Sequence, residues 1–408
     1  MIQKKPAHAG FFLLKVSDRN KENQGHQMTY QLITTSSALA AFCAQAARAE
    51  VLAVDTEFVR QTTLYPKLGL IQLFDGKQLV LVDPLAIDDW SSLQQLFANP
   101  SVCKVVHSCN EDLEALATQD LLPILPLIDT QLAAELAGWG GSQGYAKLVQ
   151  RVCAIELDKS ESRTDWIARP LSALQLDYAA KDVEHLLDVY QALKAELVAK
   201  NQYDLLLAEG EHLIARRSFA LPLSFRHLEL KNSNLLTPRE LAILRELVIW
   251  RQEYAQQHDM ALGFIFKDHH LLDIAKRRPG SLESMFNIPE LPGREVRRHG
   301  KAVLALIEQA KALPLEECPQ PFYHADVFAG FKEELQRITH GIKAAAAASG
   351  IAAEFIAVRR QSTEYFNWCW RVSDEDRAQL PVPEFLRGWR RNILLQHLPV
   401  PAHVQSLI

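Results

Sequence analysis

With 408 residues, 48% of them hydrophobic, the chain exceeds the usual size of one core and has material for two or three domains of about 100 to 200 residues each. A formal net charge of -5 excludes a basic coat over the whole surface and leaves room only for local patches of Lys and Arg. Six scattered cysteines without a CxxC pair exclude a disulfide scaffold, and no apolar run approaches the roughly 20 residues that cross a bilayer, so the expectation is a soluble, cytoplasmic chain with reduced thiols.

Residues 1–27 are rich in Lys, Asn and Gln and read as a loose extension. The apolar stretch 11–14, behind Lys4 and Lys5, is too short for the core of a signal peptide. An alternating segment follows at residues 30–33, and then β-rich apolar runs at 51–54, 70–74, 79–82 and 102–106 are interleaved with helical periodicity. That alternation predicts an α/β domain, a sheet covered by helices. From about Pro170 the strand signals fade, and helices joined by Pro and Gly punctuation fill the rest. Thr237-Pro238-Arg239-Glu240 opens a helix with a capping box and a proline in its first turn. These breaks divide the chain into 28–212, a linker at 213–235, and two all-α segments at 236–315 and 316–408.

Three places carry acids in suggestive positions. In Val54-Asp55-Thr56-Glu57 an apolar strand ends in carboxylates at i and i+2, which share a strand face while Thr56 points away. Two carboxylates held together repel each other unless a cation compensates, although both could simply mark a solvated strand end. In His107-Ser108-Cys109-Asn110-Glu111-Asp112 a strand passes into a helix. Ser108 and Glu111 have capping-box spacing, and Asp112 falls in the first turn, where the helix dipole alone can account for an acid. A further capping box, Ser172 with Gln175, starts a helix whose apolar face is expected to run through Ala179, Val183, Leu186, Leu187 and Tyr190. Tyr178 and Asp182, at i and i+4, stack on its flank, where a buried Asp needs a partner.

Taken together, Asp-x-Glu on a strand, a later Asp, and Tyr-x-x-x-Asp on a helix resemble the DEDD exonuclease superfamily in its tyrosine subclass. The flanking words Gly69-Leu70-Ile71-Gln72-Leu73, His107-Ser108, Asp129-Thr130, Trp166 with Arg169-Pro170-Leu171, and Tyr178-Ala179-Ala180-Lys181-Asp182 are most similar to its ribonuclease D branch. The resemblance implies a ribonuclease H-like fold and 3′→5′ hydrolysis of RNA assisted by two divalent cations, Mg²⁺ or Mn²⁺. It assigns Asp55 to both cations, Glu57 and Asp182 to the first, Asp112 to the second, and Tyr178 to orienting the attacking water. His107 and Gln72 lie inside matched words without an assigned role.

Residues 237–311 resemble the helicase and ribonuclease D C-terminal (HRDC) domain, and 320–408 resemble a diverged second copy. Lys276, Arg277 and Arg278, and then Arg297, Arg298 and Lys301, are expected as two basic clusters at helix ends, able to meet phosphates. The plain alternative is cations placed by helix dipoles at C-termini. The implied partner is RNA with a free 3′ end, transfer-RNA precursors by the resemblance, acted on by a monomer away from any membrane. A 3′→5′ DNA exonuclease and a catalytically inactive RNA-binding protein remain the competing readings, and no structural zinc is expected from a sequence without paired Cys or His ligands.

Overall fold

The computed structural model describes residues 29–157, 164–320 and 330–407, and the extension expected at residues 1–27 lies outside them. The chain packs as two units. The first ends at Glu211, and the second takes everything from His212 together with Arg60–Tyr65.

In the first unit, strands and helices follow in the order β1 (Tyr30–Ile33), α1 (Ser36–Ala46), β2 (Val51–Val59), β3 (Lys67–Phe74), β4 (Leu79–Val82), α2 (Ser91–Ala98), β5 (Cys103–Val106), α3 (Asn110–Ala117), β6 (Leu127–Asp129) and α4 (Thr130–Leu136). Helices α5 (Tyr145–Cys153), α6 (Ala173–Glu184) and α7 (Leu186–Ala199) complete it, with α8 (Tyr203–Ala215) as far as Glu211. The six strands form one mixed sheet in the order β1-β4-β3-β2-β5-β6. β2 pairs antiparallel with β3, β3 antiparallel with β4, and the pairs β1 with β4, β2 with β5 and β5 with β6 are parallel. This is the ribonuclease H-like arrangement expected from the motifs.

Burial explains the pattern of each strand. β3 and β4 read as continuous apolar runs because both faces of the sheet are buried there, and every residue of β3 after Lys67 is buried. Close approach dictates two glycines. A Cβ on Gly69 would meet the Trp166 carbonyl oxygen at 2.6 Å, and one on Gly210 in α8 would meet the Leu127 carbonyl oxygen at 1.8 Å. Lys104, fully buried in β5, donates its ammonium to the carbonyls of Asn99 and Leu125, and burial pushes its pKa down to about 8.

Two helix expectations need correction. α3 is not capped by Ser108: its cap residue is Cys109, no side chain caps it, and Ser108 instead adopts a left-handed φ of 58°. The single helix expected through Tyr190 breaks at His185, so Leu186, Leu187 and Tyr190 face the core from α7. The capping boxes at Ser172 with Gln175 and Thr237 with Glu240 form as expected.

The second unit is helical. α9 (Pro238–His258), α10 (Asp268–Arg277), α11 (Leu282–Phe286) and α12 (Gly293–Ala312) enclose a core that includes Leu244, Leu247, Phe266, Leu271, Val296 and Val303. Buried Arg251 ties α9 to the start of α10 by donating to the Phe266 carbonyl at 2.7 Å and the Asp268 carboxylate at 2.7 Å. α13 (Phe331–Ser349), α14 (Ala353–Ile356), α15 (Arg359–Trp370), α16 (Asp374–Gln379) and α17 (Gly388–Leu394) follow. Buried Arg377 there donates to the carbonyls of Trp368 and Val372 at 2.8 and 2.7 Å. Among the described residues, no helix is long and apolar enough to cross a membrane.

Candidate active site

The acids converge in the first unit. β2 carries Asp55 and Glu57, and α6 brings Asp182 to them, so that one carboxylate oxygen from each lies within 4.8 Å of the others. Asp112, in the first turn of α3, stands apart from that trio and is held by the Thr56 hydroxyl, which donates to its Oδ1 at 2.5 Å. Thr56 thus points away from its neighbours, as strand alternation requires, and meets the remaining acid. Its residue type between the two carboxylates carries that information, but only the fold discloses its target.

The turn that presents Asp112 depends on a residue the sequence reading left without a task. The Asp129 carboxylate, at the end of β6, accepts the backbone N–H groups of Ser108, Cys109 and Gln131 at 2.9, 3.0 and 2.8 Å. It ties down the backbone of the turn at Ser108 and Cys109 and so holds the left-handed Ser108 in place. His107 beside it hydrogen-bonds the Thr130 hydroxyl at 2.9 Å, and burial lowers its pKa against the pull of Asp129.

α6 is positioned from its N-terminal side. Arg169 grips Asp83 through Nε at 2.7 Å and Nη2 at 2.6 Å, and donates to the carbonyls of Gly69 and Trp166 at 2.7 and 2.9 Å. This fork anchors the segment before α6 to the sheet. Trp166, 1% exposed, packs its ring against Tyr178 with centroids 6.2 Å apart. One turn further on, Tyr178 hydrogen-bonds the Asp182 carboxylate. Tyr145 on α5 also reaches this end of α6, donating to the Lys181 carbonyl at 3.2 Å and accepting the His185 N–H at 3.3 Å.

Electrostatics distinguish the four acids from ordinary ones. Burial, followed by the charges of Asp112, Asp182 and Glu57, holds the Asp55 carboxyl well above the usual range. Burial with Asp182 and Asp112 pushes Glu57 up to about 9. Burial takes Asp182 to about 7 against the Tyr178 hydrogen bond, and Asp112 to about 6 against that of Thr56. Tyr178 is raised by burial and then by Asp182, Glu57 and Asp55, so its hydroxyl keeps its proton. Gln72, opposite Asp55 in the β2–β3 register, is fully buried, and neither atom of its amide has a partner among the described residues.

The residues fit divalent cations. The donors are all carboxylate oxygens, the set that hard cations such as Mg²⁺ prefer, and their mutual repulsion is what a positive charge relieves. Protonation of the acids is the alternative, so cation binding is coupled to proton release.

The basic residues lie in the second unit, and all six are exposed. Lys276 and Arg277 end α10, with Arg278 as its left-handed cap. Arg297, Arg298 and Lys301 correct the sequence reading, because they lie in the second and third turns of α12 and not at a helix end. The helix dipole acts within the first and last turns, so the plain explanation by C-terminal dipoles does not extend to them.

The family pattern described as 3′-5′ exonuclease matches residues 30–198, that of the HRDC domain residues 240–307, and that of the ribonuclease D C-terminal HRDC domain residues 329–398. The chain is 40% identical to ribonuclease D of Escherichia coli over 372 residues, covering 91% of this chain and 98% of that protein. It is likewise 40% identical to ribonuclease D of Musicola paradisiaca, covering 89% and 96%. Among solved structures, that of Escherichia coli RNase D, described as an exoribonuclease involved in structured RNA processing, superposes with a TM-score of 0.84 at 39% identity over 91% of this chain and 98% of that one.

Proposed function

The chain belongs to the ribonuclease D family and is a metal-dependent 3′→5′ exoribonuclease, and from that premise we propose which residues do the work and on what RNA. Asp55, Glu57, Asp112 and Asp182 would hold two divalent cations, Mg²⁺ or Mn²⁺, with Asp55 contributing to both. The observation that carries this reading is the convergence of the Asp55, Glu57 and Asp182 carboxylates within 4.8 Å, at pKa values that burial and mutual repulsion have raised. When bound, the cations supply activation of water and stabilisation of the leaving oxygen.

The chain's own groups supply position. Asp182 fixes the Tyr178 hydroxyl, and Trp166 packs the ring, so that the hydroxyl is held to orient the attacking water toward the terminal phosphodiester. Thr56 holds one oxygen of Asp112. Because attack is directed at the last phosphodiester, nucleotides leave one at a time from a free 3′ end.

The substrate we propose is the 3′-extended transfer-RNA precursor, processed by a cytoplasmic monomer. Lys276, Arg277, Arg278, Arg297, Arg298 and Lys301 hold the body of the RNA by its phosphates. Their exposure supports this, together with the position of the second trio away from the helix C-terminus, where a dipole would account for cations.

A 3′-extended transfer RNA incubated with the protein and Mg²⁺, with and without EDTA and beside a DNA oligonucleotide of matched sequence, tests the reading. Stepwise mononucleotide release from the RNA, abolished by chelator, is expected. Undiminished release in excess EDTA would sink the cation assignment, equal rates on DNA would replace RNA by either nucleic acid, and rapid cleavage of circular RNA would indicate an endonuclease.

A further inference from the structure

Outside the carboxylate cluster, the described residues bring together one other group of metal-ligating side chains: Cys153, His185 and Asp188, whose ligand atoms lie within 4.8 Å of one another. No motif announces it. Cys153 is the last residue of α5, His185 is the junction between α6 and α7, and Asp188 lies in the first turn of α7, so the three meet only because α5 packs on α7. The imidazole Nδ1 is 3.8 Å from the Asp188 carboxylate, and its Nε2 is 3.9 Å from that of Glu184. Cys153 is a free, half-buried thiol.

We propose that Cys153, His185 and Asp188 form a second metal site, specific for a soft divalent transition cation such as Zn²⁺ and distinct from the carboxylate centre. The donor set decides the class. Thiolate and imidazole select zinc-like ions over Mg²⁺, whereas the catalytic acids offer oxygen alone. Three protein ligands leave the fourth tetrahedral position to water. Binding deprotonates the thiol, and the proton goes to solvent. Without a cation the thiol has no reason to ionise, since burial and Asp188 both raise its pKa. The same junction is already bound to the start of α5, where the Tyr145 hydroxyl accepts the His185 N–H at 3.3 Å. A cation would add a bond to the end of α5 and so clamp that helix to the junction three residues beyond Asp182.

The test is a Co²⁺ titration of the full, reduced chain with Mg²⁺ kept saturating, followed by absorption. One equivalent should produce an intense thiolate-to-cobalt charge-transfer band, displaced by Zn²⁺, and Zn²⁺ should raise the melting temperature. Cys153→Ser should lose the band and the Zn²⁺-induced shift while retaining its Mg²⁺-dependent activity. Cys103→Ser, which alters the other half-exposed thiol, should keep both. His185→Gln should lose the band as well, and serves if Cys153→Ser does not fold. Absence of a thiolate band in the unaltered protein, or its persistence in Cys153→Ser or His185→Gln, overturns the site. An oxygen-only cobalt spectrum would mean occupancy of the carboxylate centre alone and would count against the proposal equally.

Discussion

Asp83 and Asp129 lie deeper in the first unit than Asp55, Glu57 and Asp182, yet the two groups are treated in opposite ways. Asp129 receives three backbone N–H groups and Asp83 receives a two-pronged guanidinium. The four clustered acids receive mainly one another's charge, with a tyrosine on Asp182 and a threonine on Asp112. Satisfied acids stabilise the fold, and unsatisfied ones are kept because something from outside satisfies them. The difference teaches that burial does not by itself identify a catalytic acid: the balance of donors around it does.

The strongest way to break this contrast is to remove charge from each group in turn. Asp55→Asn or Asp182→Asn should reduce turnover of a 3′-extended RNA to background while RNA binding and helical content persist. At pH 8, in chelator, either variant should melt higher than the unaltered protein, because a source of repulsion is gone. A lower melting temperature would show these acids to be structural. Tyr178→Phe removes only the hydroxyl and should slow single-turnover cleavage by about 10² to 10⁴-fold, the range for one positioned catalytic group. Cleavage at the unaltered rate would take Tyr178 out of the mechanism.

Asp129→Ala is the opposite case. It leaves three amides without their acceptor, so stability should fall by about 1 to 3 kcal/mol in a denaturant titration at any metal concentration. Activity should fall with it as the turn presenting Asp112 loosens.

The pH dependence sharpens the contrast further. Free carboxylates titrate at about 4, whereas Asp112, Asp182 and Glu57 are raised to about 6, 7 and 9 in the folded chain. Between those limits these three acids bind protons in the folded protein that the unfolded chain has released, so their contribution to metal-free stability declines as pH rises from about 4 toward 9, while buried His227, held down to about 4, contributes in the opposite sense. Mg²⁺ should reverse the decline at the alkaline end and have little effect at pH 5. The difference between melting curves in Mg²⁺ and in EDTA isolates the cluster and should grow from pH 5 to pH 9, and a difference that shrank toward pH 9 would contradict it.

The smallest effect concerns the second unit. Neutralising Arg297 and Arg298 together should flatten the salt dependence of transfer-RNA binding by roughly one unit, measured on the Asp55→Asn protein to prevent cleavage. Short oligonucleotides should still be cut at nearly the normal rate by the otherwise unaltered double variant. Unchanged affinity and slope would return both arginines to ordinary surface cations.

What the amino-acid sequence determined alone is what depends on neighbours two to four residues apart. Asp55 and Glu57 share a strand face because side chains alternate, and Tyr178 bonds Asp182 because i and i+4 stack on a helix. The capping boxes at Ser172 and Thr237 closed for the same reason. Tertiary structure decided whatever competes with such local signals. Ser108 had the right spacing to cap α3 and lost to Asp129, twenty-one residues away, whose carboxylate could take two amides of the turn at once. Thr56 found Asp112 across 56 residues, and Arg169 found Asp83 across 86. The helix that periodicity continued past Asp182 broke at His185, and Cys153 came to His185 only when α5 folded onto α7. A residue's local options are countable from its neighbours, but which option has the lowest free energy depends on partners that only the packed chain supplies.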